Sequence, residues 1–463
     1  MKKLSVLLGV VIMVLALTMP AAAFENEFGG YWRTRAYTDY GFSGTSNGTA
    51  YAKVNGNQNT IDTRTRIFYT AKFSENLKFV NHFEVNATWG QNGGYGQMSA
   101  DNSGADTFRV ARSYVDFKLG QQRFVVGVQD FTLARGYLYD DNASGVKAIF
   151  KVNDAIYLPL IYMKNYEGGT GYINGSAAST YDMTTWVFYP TIFLNKDNTL
   201  KPHVAYLYSE NAALATARNT NMFNDPTSAT FLPGATKVDL WTAGLEYDGK
   251  IDIFDLGATA IFQFGSIDVP SAVYNHDSLN VKGMLFDIFG GVNLGPANIH
   301  AKGIWASGNK HGEDPAVSGD LKGFITPGKK DTWGATYYWA ELMGDGIFDN
   351  ATPIGSPGSC ISNVYIGNFG ASYKLLQDLK ISADLWYAQR AEDVKIASNA
   401  LQPQYSSSLG TEFDMVLTYT IVDNLKIDLV GAYLWAGNAI TKAVDPNGNA
   451  NPYELGTRLS LAF

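Results

Sequence analysis

Cysteine, proline and charge are all scarce in this chain of 463 residues. Its single cysteine, Cys360, excludes an intrachain disulfide, a multi-cysteine zinc site and a C-x-x-C-H attachment site for covalent haem. Only 17% of the residues are charged, whereas an ordinary soluble domain has about 25%. Stretches rich in Ala, Leu, Glu and Lys, which build soluble helical cores, are also missing. The composition therefore argues against an ordinary soluble or disulfide-stabilised protein.

A basic excess is absent as well. Acidic residues outnumber basic ones by 43 to 35, which gives a net charge of −8, so general binding to a nucleic-acid backbone is not expected. The chain has instead 28 Tyr, 26 Phe, 9 Trp and 47 Gly. Because aromatic residues favour strands and glycine favours turns, these numbers favour an all-β protein.

Catalytic and metal-binding patterns are missing from the sequence. The five histidines are scattered, and no H-E-x-x-H, G-x-S-x-G or phosphate-loop motif occurs. The acidic stretches at 140–142 and 345–350 offer oxygen ligands for Ca²⁺, but the same residue types are common in plain turns. We therefore expect no enzymatic activity, no cofactor and no resident metal.

The N-terminus has the pattern of a secretory signal peptide. Lys2 and Lys3 precede an apolar run that ends at Met19, and small residues follow at 21–23. This pattern predicts a signal peptide over 1–23 and one mature domain over 24–463. No later apolar run reaches about 18 residues, so no transmembrane helix is predicted. A soluble exported protein and a transmembrane barrel both remain open at this point.

Apolar and polar residues alternate along several segments with the period of a β-strand. Clear examples are Leu425–Trp435, Thr411–Ile421 and Asn298–Trp305. A soluble β-sandwich shows the same alternation, so the spacing of the connections has to separate the two folds.

Short turns and long polar loops alternate along the chain. The predicted turns lie at 74–76, 119–121, 152–154, 195–198, 248–250, 293–296, 376–378 and 422–424. The predicted loops lie at about 41–59, 90–106, 134–142, 166–181, 209–236, 266–279, 307–361, 391–409 and 437–452. An even strand number with short periplasmic turns and long extracellular loops is typical of outer-membrane barrels. The sequence therefore predicts an all-β, transmembrane antiparallel β-barrel of about 18 strands.

The longest loop and the last strand carry two further expectations. Loop 307–361 is long enough to fold into the lumen, and its sequence leaves open whether it does. The strand Glu454–Phe463 alternates and ends in an aromatic residue, like the closing strand that the barrel-assembly machinery of bacterial outer membranes recognises. We expect Phe463 to contact that machinery, and the outward faces of the strands to contact outer-membrane lipid.

Short motifs on several predicted strands resemble one family of Gram-negative outer-membrane barrels, the porin-like proteins of the alginate-export type. The motifs are Asp62–Arg66, Asn76–Phe79, Ser113–Lys118, Val126–Gln129, Ala134–Gly136 and Ala306–Gly308. The resemblance implies an 18-strand barrel with an arginine-lined lumen. It does not imply alginate as the solute, because the family label covers barrels of varied cargo.

Arginine is concentrated near the start of the chain, where eight of the 11 arginines lie at or before position 135. An arginine that faces lipid at the bilayer midplane costs ~2–4 kcal/mol, so the strand faces that carry arginine should line the lumen. The last strand of a closed barrel pairs with the first, which adds Arg458. Arg109 and Arg112 differ in strand parity, so either a β-bulge separates them or one lies near a rim. The predicted pore-lining residues are Arg33, Arg35, Arg64, Arg66, Arg112, Arg123, Arg458, Asp62, Glu84, Asp116, Asp384, Glu412, Asp414 and Asp428.

Two interpretations of these charges remain open. They form a constriction that selects solutes by charge, or they stabilise the barrel wall as ion pairs between neighbouring strands. The leading functional hypothesis is a passive outer-membrane channel for small hydrophilic or anionic solutes. The alternative is a barrel that encloses a multihaem cytochrome partner and serves electron transfer. A barrel-embedded enzyme is disfavoured, because no nucleophile and base can be paired.

Overall fold

The first and last strands of the computed structural model pair with each other, which closes the sheet into an antiparallel barrel of 18 strands, as predicted. The structure describes residues 24–42, 58–90, 108–166, 182–209, 237–269, 271, 275–310, 318–326, 337–349, 352–359, 361–398, 404–443 and 445–463. The predicted signal peptide and Cys360 lie outside these residues.

Each strand pairs with its neighbours in sequence, and short interruptions divide two of the strands. The strands are β1 Glu25–Tyr40, β2 Gln58–Ser74, β3 Leu77–Thr88, β4 Phe108–Leu119, β5 Gln122–Leu133, β6 Tyr139–Asn153, β7 Ile156–Tyr166, β8 Met183–Phe188 with Thr191–Asn195, β9 Asn198–Ser209, β10 Lys237–Ile251, β11 Phe254–Asp268, β12 Ser278–Val281 with Met284–Leu294, β13 Ala297–Ala306, β14 Val364–Lys374, β15 Leu379–Ile396, β16 Gln404–Val422, β17 Leu425–Ala436 and β18 Tyr453–Ala462. A two-residue piece, Asp320–Leu321, adds to β12 in parallel.

The short turns fall between strands close to where they are predicted, with one exception. The turn predicted at 248–250 is wrong, because β10 continues through it to Ile251 and turns at Asp252, whose φ is +55°. Gly249 is needed there for another reason. A Cβ at this position would lie 2.1 Å from the Tyr247 hydroxyl and 2.4 Å from the Asn198 amide oxygen.

The two faces of the strands differ in chemistry. One face carries exposed apolar side chains such as Phe413 (40% exposed) and Trp435 (53%). The other face carries buried polar groups, and there Arg135, which lies in the connection between β5 and β6, reaches Asp248 of β10. The polar face therefore encloses the interior. No helix in the described ranges is long and apolar enough to cross a membrane.

Much of the interior is filled by apolar side chains from the connections at the long-loop end. Tyr137, Leu342, Met343 and Phe348 are fully buried, and the first three join a cluster with inward residues of many strands. The barrel is thus a packed body on one side, and the charged side chains of the early strands lie on the other.

Candidate functional site: the charged interior of the barrel

A row of arginines lies on the inner face of β1 and β2. Arg33 lies opposite Arg64, and Arg35 lies opposite Asp62, in the ladder between these strands. Side chains of directly opposed residues share a face, so alternate residues of both strands point inward together. Across the seam that closes the barrel, Arg458 of β18 lies opposite Arg35.

A β-bulge in β4 explains the odd spacing of Arg109 and Arg112. The β3–β4 register shifts between His82 and Phe83, so that Arg109 pairs with Glu84 and Arg112 with His82. Ala111 is the extra residue that turns both arginines to the same face. Of the two explanations left open by the sequence, the bulge is the observed one.

Most of the charged groups form ion pairs between neighbouring strands. The pairs are Arg66 Nε with Glu84 at 2.6 Å, Arg109 Nη2 with Glu84 at 2.7 Å, Arg123 Nη2 with Asp116 at 2.7 Å, Lys78 Nζ with Asp116 at 3.2 Å, Arg112 Nη1 with Asp130 at 3.1 Å and Arg458 Nη2 with Asp428 at 2.8 Å. Arg35 donates to Asp62 through both Nε and Nη2. This pattern matches the ion-pair interpretation of the wall.

Arg33 and Arg64 differ from the rest of the row. Arg33 is buried, and its Nε has no hydrogen-bond partner among the described residues. The nearest carboxylate to either Nη group is Asp349, at 3.9 Å from Arg33 and 3.6 Å from Arg64. The Tyr338 hydroxyl donates to Asp349 at 2.9 Å and holds it in place. Arg64 Nε also lies 3.9 Å from Glu84, which pairs with Arg66 and Arg109 as well. Four arginines here therefore have only Asp349 and Glu84 as carboxylate partners, which leaves local positive charge in excess.

The loop segment 337–349 brings Asp349 to this wall. Its backbone N–H groups at Leu342 and Met343 donate to Glu412 of β16 at 2.6 and 2.9 Å. Phe348 stacks on Tyr37 of β1 with ring centroids 5.2 Å apart. The segment therefore lies against the inner face of the wall from β16 round to β1.

This contact changes the position expected for two of the predicted pore-lining residues. Glu412 is 0% exposed, and Asp414 is buried beside it, because the backbone of 341–343 covers both carboxyls. They hold the loop segment rather than face open lumen. Asp384 lies opposite Asp414 in the ladder and binds His300 Nε2 at 2.8 Å and the Asn368 amide at 3.0 Å.

A second connection, residues 134–138, also reaches into the interior. The Arg135 guanidinium donates to Asp248 Oδ1, to the Tyr247 carbonyl and to Thr259 Oγ1, at 2.7 to 2.8 Å. Tyr137 stacks on Tyr337 of the first segment with centroids 4.3 Å apart. The two connections therefore meet inside the barrel.

Sequence reasoning missed Asp349, Tyr137 and Tyr337 as interior residues. All three lie in connections, where no strand period shows which way a side chain points. Arg135 is counted among the early arginines, but its partner Asp248 is 113 residues away in the chain. Across the described ranges, no three His, Cys, Asp or Glu side chains converge to hold a metal ion.

Solved structures with a similar backbone include a BenF-like porin. Acinetobacter baumannii OccAB4 matches with a TM-score of 0.55 at 9% identity, covering 95% of this chain and 98% of that one. A BenF-like porin from Pseudomonas fluorescens Pf-5 matches with a TM-score of 0.54 at 10% identity, covering 95% and 98%. Acinetobacter baumannii OccAB1 matches with a TM-score of 0.55 at 12% identity, covering 95% and 97%.

At such identities the likeness establishes the fold. The chain is a porin-like β-barrel. No family model matches the sequence, and no curated protein matches it.

Proposed function

We propose that this protein is an outer-membrane channel of Gram-negative cells that passes small hydrophilic solutes and prefers anions. The observation that carries the proposal is the Arg33–Arg64 pair, whose nearest carboxylate is the shared Asp349. A positive charge on the inner wall that no carboxylate neutralises does not stabilise the barrel. It acts instead on the charge of the solutes that pass.

The passage runs beside the arginine wall of β1, β2 and β4. Side chains there are accessible to water, with 40% of Arg66 and 53% of Arg109 exposed. The loop segment 337–349 and residues 134–138 occupy other parts of the interior, and the segment reaches β1 through Phe348. We infer that solutes move past the accessible side chains of Arg64, Arg66 and Arg109.

The physical basis for the anion preference is local rather than global. In a narrow passage with low-dielectric walls, a patch of like charge concentrates counter-ions and repels ions of its own sign. The net charge of −8 counts against anions only where the carboxylates lie near the passage, and many lie in connections or in ion pairs. Salt screens the patch, with a Debye length of ~10 Å at 0.1 M and ~3 Å at 1 M.

The fold and the sequence also support the proposed location and partners. An outward apolar face suits contact with outer-membrane lipid, residues 1–23 suit export, and Phe463 suits contact with the barrel-assembly machinery. The resemblance to the alginate-export type stays a prediction. Uptake of alginate oligomers into vesicles that contain the pure protein is the measurement that tests it.

The contacts inside the barrel argue against the cytochrome alternative. A barrel that encloses a haem protein needs a free interior, whereas here Tyr137 and Tyr337 stack across it. Co-purification of a haem protein from native membranes, with no conductance from the pure barrel, would reverse this preference.

The test is reconstitution of the pure, folded protein in planar bilayers. We expect stepwise conductance and a reversal potential, under a salt gradient at about 0.1 M, that indicates anion preference. The preference should weaken as salt approaches about 1 M. A silent bilayer with correctly folded protein contradicts the channel, and cation preference at low salt contradicts the role of the arginine pair.

A further inference from the structure

Three carboxyl groups meet where the loop segment 337–349 touches the wall. Glu341 belongs to the segment, and Glu412 and Asp414 point inward from β16. All three are at least nine-tenths buried, with exposures of 8%, 0% and 6%. Carboxyls in such a place are costly unless every charge is compensated or removed by a proton.

Backbone N–H groups compensate only part of this charge. Glu412 accepts from the N–H groups of Leu342 and Met343, one on each oxygen. Asp414 Oδ2 accepts from the Glu341 N–H at 3.2 Å, and Glu341 Oε2 accepts from the Ile347 N–H at 2.7 Å. Asp414 Oδ1 receives no N–H or O–H hydrogen bond from the described residues, and the carboxyl beside Asp414 is that of Glu412.

The cations near this cluster are bound elsewhere. Arg458 Nη2 pairs with Asp428, and its Nη1 donates to the Ile347 carbonyl at 3.2 Å. His300 pairs with Asp384, which adds a further carboxylate opposite Asp414. In the described parts of the chain no salt bridge involves Glu341, Glu412 or Asp414. Three ionised carboxylates would therefore repel one another across the contact between loop and wall.

We propose that Glu412 positions the loop segment 337–349 against the wall, and that this attachment requires a proton within the Glu341–Glu412–Asp414 cluster. Loss of that proton at higher pH releases the segment and widens the passage. This inference rests on the proposed channel function for its effect on conductance, but the release itself is independent of conduction. Burial, and then the neighbouring Asp414, raise the pKa of Glu341 to about 8.

The direction in which pH changes the attachment follows from the difference in carboxyl pKa between the attached and released states. A carboxyl whose pKa is raised when the loop is attached binds its proton more tightly in that state than in the released state. Attachment is therefore complete at low pH and weakens as pH rises from the ordinary value of 4.5 through about 8.

Release can be measured directly because the chain has a single native cysteine. In a Cys360→Ser background, Met343→Cys places a thiol at a buried position and keeps the N–H that Glu412 accepts. Ser318→Cys, at an exposed position in the same connection, corrects for thiol ionisation. From about pH 6 to pH 9 the corrected labelling rate should rise by up to about a hundredfold, because over about two of these pH units the proton stays bound only in the attached state. A constant corrected rate overturns the proton requirement.

Variants of the wall separate the anchor from the proton. Glu412→Ala should expose Met343→Cys to the reagent at every pH, and Glu412→Gln should do so in part, because its amide NH₂ cannot accept a backbone N–H. Asp414→Asn should keep the segment attached and weaken the pH dependence, because burial alone still raises the pKa of Glu341. Asp320→Asn, a loop carboxylate that binds Lys282, is the matched control and should behave like the parent. Heat-modifiable gel mobility checks that every variant folds.

Conductance then links release to the passage. In bilayers the parent should conduct more at about pH 9 than at pH 6, and Glu412→Ala should show the larger conductance at both. Unchanged conductance despite labelled Met343→Cys contradicts a widened passage but leaves the channel intact. Absence of conductance in all variants, with labelling as expected, contradicts the channel function and not the attachment.

Discussion

Arg33 and Arg64 face each other directly across the ladder between β1 and β2, and Asp349 is the carboxylate closest to both. Like charges directly opposite destabilise a sheet, so the arrangement opposes the stability of the wall. The other arginines of the row pair with carboxylates of the strands, and two of them, Arg66 and Arg109, share Glu84. The Arg33–Arg64 pair therefore does not serve the stability of the wall. It lies where the loop segment 337–349 approaches the wall.

Removal of early arginines should shift ion selectivity toward cations. In Arg64→Gln with Arg66→Gln, the anion-to-cation permeability ratio at low salt should fall about threefold, since a unit charge ~4 Å away acts with ~1 kcal/mol in water and salt lowers this. Reversal potentials in planar bilayers measure the ratio. Lys151→Gln, which removes a charge at the turn end beside Asp154, is the control. If selectivity stays unchanged while the barrel unfolds more easily, these arginines are structural.

Removal of the loop carboxylate should act in the opposite direction. Asp349→Asn keeps the size of the side chain and its contact with Tyr338, but frees Arg33 and Arg64 from their shared partner. The permeability ratio should rise toward anions by a similar factor of about three at low salt. The same measurement on Asp349→Asn and on the arginine variant gives shifts of opposite sign. Equal signs would mean that the variants alter the shape of the passage rather than its charge.

The ion pair beside the closing seam should contribute much more to stability than an exposed pair. Asp62→Asn leaves the buried Arg35 guanidinium without its carboxylate, which costs ~3–5 kcal/mol for a buried pair. Lys72→Met removes an exposed pair with Glu27 and should leave stability almost unchanged. The temperature at which the folded band is lost on a gel compares the two. Similar temperatures for both variants would show that water reaches the Arg35 pair.

Deletion of Phe463 should lower the yield of folded barrel and leave conduction by the folded fraction unchanged. The backbone of Phe463 exchanges hydrogen bonds with Gly30, at 2.7 and 3.1 Å, which extends the ladder between β1 and β18 by one pair. Its ring lies over Gly30, where a Cβ would approach within 2.3 Å. The amount of heat-modifiable protein in the outer membrane measures assembly. Normal yield after the deletion would remove Phe463 from the assembly signal.

The strands can be predicted from the sequence because the residue alternation that marks a strand is a local pattern. The alternation in Leu425–Trp435 needs no distant information, and each turn is a contiguous run of turn-forming residues. The turn predicted at 248–250 is wrong for an informative reason. Asp248 accepts the Arg135 guanidinium, and Gly249 makes room for Tyr247 and Asn198, so turn-forming residues here serve tertiary contacts.

The contacts inside the barrel can be predicted from the sequence only in part. Strand parity places Glu412 and Asp414 on one face of β16, but the backbone groups that they bind are 69 to 73 residues away in the chain. No period in the sequence marks Leu342 and Met343 as the partners. Asp349 is missed for the same reason, because a side chain on a connection takes its direction from what the connection rests on.

The bonds from Leu342 and Met343 to Glu412 also constrain the order of assembly. The segment that contains them precedes β14, but its acceptor lies on β16, two strands later in the chain. The stacking of Phe348 on Tyr37 further requires the first strand to be in position. The segment therefore cannot take its final position while strands are still being added one by one. It packs against the wall only after β16 and β1 are both in place. Folding should show a late step that follows closure of the sheet, and intermediates before that step should carry an open bore.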